Sequence, residues 1–205
     1  MQTQFLLMKI IQSALQAIKD IPKPIRVFAS KALLLLVIWQ VIYLGLLAPK
    51  RIIDQPLSMF TGKATAWCVK HLMPSHSIVV KEVLQKEQVE AMEFDYLKTT
   101  IFADGIKLIG IADGCNGLSL FMLFIGFIIA YPAPILLKLR YGVLGLILIV
   151  LVNILRCTGL AMFSYYNPKV LFFAHHYLFK VMVYGIVFFL WVRFTQINQK
   201  YNQHA

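Results

Sequence analysis

Apolar residues in this chain fall into blocks separated by polar or proline-marked joints. In "FLLMKIIQSALQAIKDIPKPIR", Leu7, Ile11, Leu15 and Ile18 share one helical face, while Lys9, Gln12, Gln16 and Lys19 share the other. That pattern predicts an amphipathic helix lying on a membrane surface, ended by Pro22 and Pro24. From about Ala32 to Ala48 the chain is almost continuously apolar, between Lys31 and Lys50-Arg51. Three later blocks, roughly Asn116 to Ala130, Tyr141 to Tyr165 and Ala174 to Phe194, repeat this character. Runs of this kind predict membrane-crossing helices.

The long segment from Pro49 to Gly114 is different. "TGKATAWCVKHLMP" has the alternation of a short amphipathic helix stopped at Pro74. "SIVVKEV" and "AMEFDYL" have strand character, and "TTIFADGIKLIGI" predicts a hairpin. Asp104-Gly105 is a dipeptide that favours the tight type I′ turn, where both central residues have positive φ.

Lys and Arg in the short flanks set the orientation. Lys9, Lys19, Lys23, Arg26 and Lys31 precede the first block; Lys138 and Arg140 lie between two later ones; Arg193 and Lys200 close the chain. Placing all of these in the cytoplasm requires four crossings with both termini inside. The predicted fold is an all-α multi-pass membrane bundle of about four transmembrane helices. It carries an N-terminal interfacial helix and a small extracytoplasmic α/β-hairpin insert. The expected divisions are 1–26 interfacial helix, 27–48 first transmembrane helix, 49–114 insert, 115–194 transmembrane helices two to four, and 195–205 cytoplasmic tail.

Composition agrees with this division. The 205 residues are 60% hydrophobic and 14% charged, against about 25% charged in soluble domains. The formal charge of +11 does not describe a nucleic-acid surface. Every acidic residue except Asp20 lies between Pro49 and Cys115, where Lys and Arg balance them, and the excess positive charge flanks the apolar blocks. Cys68, Cys115 and Cys157 form neither a disulfide framework nor a metal-ligand spacing, so no metal or cofactor is expected. Charges interspersed through the first segment predict no cleavable signal.

Few polar groups interrupt the apolar blocks. Cys115 lies in "DGCNGLSLF", at the outer start of one. From the residues alone it reads either as a small packed hydrophobe or as a thiol in a first helical turn, where the helix N-terminus favours thiolate. Arg156 lies 14 positions past Gly142, ~21 Å into a core of ~30 Å, and so in the outer half. A charge there reaches for the outer headgroups or joins Asn153, one turn earlier, in a polar seam. The pair His175-His176 begins the last block, again on the outer side. Cys68 and Cys157 read as packing residues, His71 and His76 as solvated, and Trp39, Trp67 and Trp191 as interface or packing residues.

"DGCNGLSLF", "NILRC" and "HHYLFKVMVYG", in that order, resemble the exosortase/archaeosortase family of membrane cysteine transpeptidases. The resemblance covers roughly Thr99 to Phe194, and the chain is similar to short members, since many relatives carry additional helices. It implies a Cys–Arg–His site in which Cys115 attacks a scissile carbonyl to form an acyl-thioester. Arg156 would donate a proton or stabilise the oxyanion, and a histidine would assist the thiol or leaving amine. Aligned as H-x-Y-x-F the histidine is His175; aligned as H-Y-L-F it is His176. Asp113, Asn116 and Asn153 are the supporting residues. The implied partners are membrane lipids and an exported protein with a C-terminal transmembrane sorting signal. The implied location is the cytoplasmic membrane, with the site facing outward. Two other readings stand beside it: a non-catalytic subunit that uses the polar seam to bind a partner of an export or polysaccharide system, and a bis-histidine metal or haem site, for which no second histidine is found on a facing helix at the same depth.

Overall fold

In a computed structural model of the chain, the structure describes residues 8, 9, 12, 16, 22–89 and 92–204. The interfacial helix expected over 1–26 lies outside the described residues up to residue 21, apart from those four positions. Helix α1 runs Lys23–Ile42 with Pro24 in its first turn, where the missing N–H costs nothing, and continues as a π-helical turn, Tyr43–Leu47. Helix α2 spans Asp54–Leu72 and stops before Pro74. Strands β1 (Ile78–Val89), β2 (Met92–Ala103) and β3 (Ile106–Ile111) form one antiparallel sheet in that order. Asp104 at φ 50° and Gly105 at φ 82° make the β2–β3 turn.

Four further helices follow. Helix α3 is Leu118–Ala130, and α4 is the long Ile135–Tyr166. After Asn167, helix α5 (Pro168–Phe173) passes through a π-helical turn, Ala174–Leu178, into α6 (Phe179–His204). Among the described residues, three helical segments are long and apolar enough to cross a membrane: Lys23–Leu47, Ile135–Tyr166 and Pro168–Tyr201. Helix α3 is apolar but has 13 residues, ~20 Å against a hydrocarbon core of ~30 Å. The chain is thus mostly helical, with outward faces suited to lipid. Leu144, Ile147, Leu151 and Leu155 on α4 and Val181 and Phe188 on α6 are all more than half exposed.

Among the described residues three apolar clusters meet along α4, the smallest joining its Leu160 to Ala174 and Phe179. Phe124 and Ile128 of α3, Ile149 and Val152 of α4, and Val183, Val187, Leu190 and Phe194 of α6 build the first. Gly145 permits it: a Cβ there would strike the Phe124 ring, so the missing side chain lets α3 and α4 close on that aromatic. The second core joins Ala66 and Val69 of α2, Met73 just past its end, Ile101 and Ala103 of β2, Leu108 of β3 and Ala161 of α4. The Ser164 hydroxyl adds a hydrogen bond to the Leu108 carbonyl (2.6 Å). Val152 belongs to the first core and Ala161 to the second. The residues between them, Asn153 and Arg156 included, lie at the junction.

Helix α1 buries no residue. It leans on α3 through Phe28, whose ring meets Phe127 and Tyr131 edge-on. An apolar groove of about 630 Å³ remains between them, lined by Trp39 and Tyr43 of α1, Leu118, Ser119 and Met122 of α3, and Trp191 of α6.

Candidate active site

The segment carrying Cys115 is a turn, not the start of a helix. Strand β3 ends at Ile111, a 3₁₀ turn covers Asp113–Cys115, and α3 begins three residues later. Gly117 causes the break. It sits at φ 95°, in the left-handed region that glycine tolerates, and an added Cβ would stand 3.3 Å from Asn153 Nδ2. The thiol therefore lies outside the first turn of α3, where the sequence pattern had placed it. The Cys115 N–H donates to the Ala112 carbonyl at 2.7 Å, and the Cys115 carbonyl accepts from Asn153 Nδ2 at 3.1 Å.

Arg156 is one turn further along α4 and only 8% exposed. Its Nη1 donates to Asn153 Oδ1 at 3.4 Å. Its Nε is buried with no hydrogen-bond partner among the described residues. Asn153, itself buried, therefore bridges the guanidinium to the backbone of Cys115 with its two amide ends.

The two histidines separate. The π-helical turn leaves Ala174 buried, His175 half-buried and His176 exposed. His175 Nε2 lies 3.7 Å from Cys115 Sγ. His176 instead donates from Nδ1 to the Phe172 carbonyl at 3.0 Å and stacks on the Phe172 ring. π-Turns insert one residue into a helix and often occur at functional positions; this one aims one of two adjacent rings inward.

Asp113 and Asn116 face other partners. The Asp113 carboxylate pairs with Arg51, whose Nε donates to Oδ2 at 2.9 Å. Arg51 also donates to the Leu97 carbonyl and lies over the Tyr96 ring. The hydrogen bond to Asp113 pushes the Arg51 guanidinium further into its protonated range. Asn116 is almost fully buried. Its Oδ1 accepts the Leu118 N–H (2.9 Å), and its Nδ2 donates to Asp54 Oδ1 (2.8 Å).

Asp54 is the main residue not anticipated from the sequence, together with Tyr43, whose hydroxyl donates to Asp54 Oδ2 at 3.1 Å. A signal was present. Asp54, Ser58, Thr61 and Thr65 recur at helical spacing, and all four are buried. A stripe of small polar residues in an otherwise mixed helix marks a face turned to a polar partner, here the Cys115 turn. His76, expected to be solvated, contacts Asp104 at 2.5 Å and meets the Tyr165 ring edge-on. Cys68 is partly buried, and Cys157 is buried on α4. Among the described residues no group of three or more His, Cys, Asp or Glu is arranged to hold a metal ion.

A thiol beside an imidazole, next to a buried guanidinium with donor capacity to spare, can perform nucleophilic acyl transfer. The profile of the transmembrane exosortase family matches residues 25–193. No curated protein and no solved structure matches the chain.

Proposed function

The chain belongs to the transmembrane exosortase family, and on that premise we propose that it is a membrane-embedded cysteine transpeptidase or protease acting at the outer face of the cytoplasmic membrane. The observation that carries this reading is the 3.7 Å contact between Cys115 Sγ and His175 Nε2. His175 takes the thiol proton, and Sγ attacks the scissile carbonyl carbon. Arg156 stabilises the resulting oxyanion, using the donor capacity that its unpartnered Nε leaves open. Collapse breaks the C–N bond, and His175 returns the proton to the leaving amine. The acyl-thioester is then attacked by water or by a lipid or glycan amine; the acceptor's proton passes to His175 and back to Sγ. Asn153 holds Arg156 and the Cys115 turn in register.

The substrate class is an exported protein whose C-terminal sorting signal includes a transmembrane helix, which presents its outer junction at the depth of Cys115. The proposed topology has four crossings, α1, α3, α4 and α5–α6, with both termini cytoplasmic and the sheet outside. The short α3 meets this role because the irregular turn at its outer end packs within protein, where non-helical backbone is tolerated at membrane depth.

The test is intact-mass analysis of membrane proteins from cells carrying the wild-type chain or Cys115→Ala. The expected result is at least one exported protein that is trimmed near its C-terminal transmembrane segment only in the wild type. Identical masses, with the variant correctly inserted, would overturn the nucleophile assignment and favour a non-catalytic, partner-binding subunit.

A further inference from the structure

The hydrogen bonds around the Cys115 turn lead to a residue outside the Cys–Arg–His set. The Asp54 carboxylate is 1% exposed, and each of its oxygens accepts from a neutral donor. Oδ1 accepts from Asn116 Nδ2 at 2.8 Å and Oδ2 accepts from the Tyr43 hydroxyl at 3.1 Å. Asp54 is also the first residue of α2, where the helix N-terminus favours negative charge. The same Asn116 amide nitrogen lies 3.5 Å from both the Asp54 carbonyl and Ser58 Oγ, and the Asn116 carbonyl receives the Thr61 hydroxyl at 3.4 Å. The residue next to the thiol is thus held by one face of α2.

From this we infer that Asp54 is a positioning residue for Cys115: through Asn116 it sets the turn that keeps the thiol against His175. The inference rests on the proposed nucleophile role only for its catalytic consequence; the positional claim stands on the hydrogen bonds themselves. The two amide ends of Asn116 make it a rigid link. Oδ1 caps the Leu118 N–H at the start of α3, so the nitrogen must point at α2. Without an acceptor at position 54, that buried donor loses its main partner, and a buried donor left unpaired is destabilising. The turn relaxes to find another acceptor, and Sγ leaves the vicinity of Nε2. What position 54 must provide is an acceptor aimed at Asn116. Asparagine can supply it, with Oδ1 accepting from Asn116 and Nδ2 donating to the Tyr43 oxygen.

The experiment measures alkylation of Cys115 by iodoacetamide at one fixed pH in the membrane-inserted full chain, resolved by peptide mass spectrometry. Cys157, 1% exposed, is the internal control for loosening of the fold. Asp54→Ala should slow Cys115 alkylation about fivefold or more while Cys157 stays protected, because Sγ then lacks the imidazole that accepts its proton as it attacks. Asn116→Ala and His175→Ala should slow it similarly. Asp54→Ala combined with either should add little, since all act through one link. Asp54→Asn should remain within about threefold of the wild type. An unchanged Cys115 rate in Asp54→Ala, additive effects in the double variants, or a parallel rise in Cys157 labelling would each overturn the inference. Processing in Cys115→Ala cells decides the catalytic reading separately, so failure of one is distinguishable from failure of the other.

Discussion

The two halves of α4 differ in what they add to apolar packing. The N-terminal half, through Gly145, Ile149 and Val152, packs on Phe124 and the apolar face of α6. The C-terminal half, from Asn153 onward, also packs, through Leu160 and Ala161, but adds directed hydrogen bonds that join Arg156, Asn153 and the Cys115 turn. Shape complementarity is graded: a lost methylene leaves a cavity, and neighbours partly fill it. A buried hydrogen bond is discontinuous, because removing one partner leaves the other without water or protein to replace it. Packing along the N-terminal half therefore governs how firmly the bundle holds together. The hydrogen bonds of the C-terminal half govern where Arg156 and the Cys115 turn lie relative to each other.

The widest separation between the halves should come from Arg156→Ala. Processing per folded molecule should fall by ~10²–10³-fold, the scale of losing an oxyanion donor, while the amount of inserted protein changes little. If the loss of product tracks loss of protein, Arg156 belongs with the structural residues instead. The histidines should divide next. His175→Ala should slow processing by ~10²-fold, at the low end for a positioned acid–base group, and His176→Ala should leave it within about threefold. Equal effects in the same kinetic assay would contradict the inward and outward placement of the two rings. Phe124→Ala should show the opposite signature. It should cost ~3–5 kcal/mol of stability, seen as a lower melting temperature in detergent, with processing by the surviving folded fraction unchanged.

The smallest effect concerns the insert. His76 first, and then the Ser77 N–H, hold the Asp104 carboxyl below the ordinary carboxylate range. A depressed folded value means the contribution is complete above the unfolded value of about 4 and fades as pH falls through the folded one. Acidification through that window should loosen the β2–β3 turn, followed by limited proteolysis, and Asp104→Asn should flatten the dependence. A variant that keeps the wild-type acid profile would assign the pH sensitivity elsewhere.

Much of this architecture is legible from residue order. The apolar runs mark the helices, Pro74 marks the end of α2, and Asp104-Gly105 marks the tight turn. These are local signals, set by backbone sterics and by the period of apolar positions. Other features are not local. The start of α3 moved from Cys115 to Leu118 because Gly117 takes a left-handed conformation against Asn153, a residue far along the chain. The polar stripe of α2 takes its meaning only from its partner, Asn116, a residue distant in the chain. His175 and His176 are chemically identical and adjacent, so no composition or spacing rule ranks them.

The sequence by itself determined that this chain is built of apolar helices around one polar insert, and that a thiol, a guanidinium and an imidazole pair lie on separate segments. Periodicity and hydropathy are properties of each segment alone, so they survive without knowledge of its neighbours. Only the tertiary structure decided which imidazole meets the thiol, that Asn153 ties Arg156 to the Cys115 backbone, and that Asp54 holds Asn116. Those are choices of direction between residues distant in the chain. They are made when helices pack and every buried donor must find an acceptor.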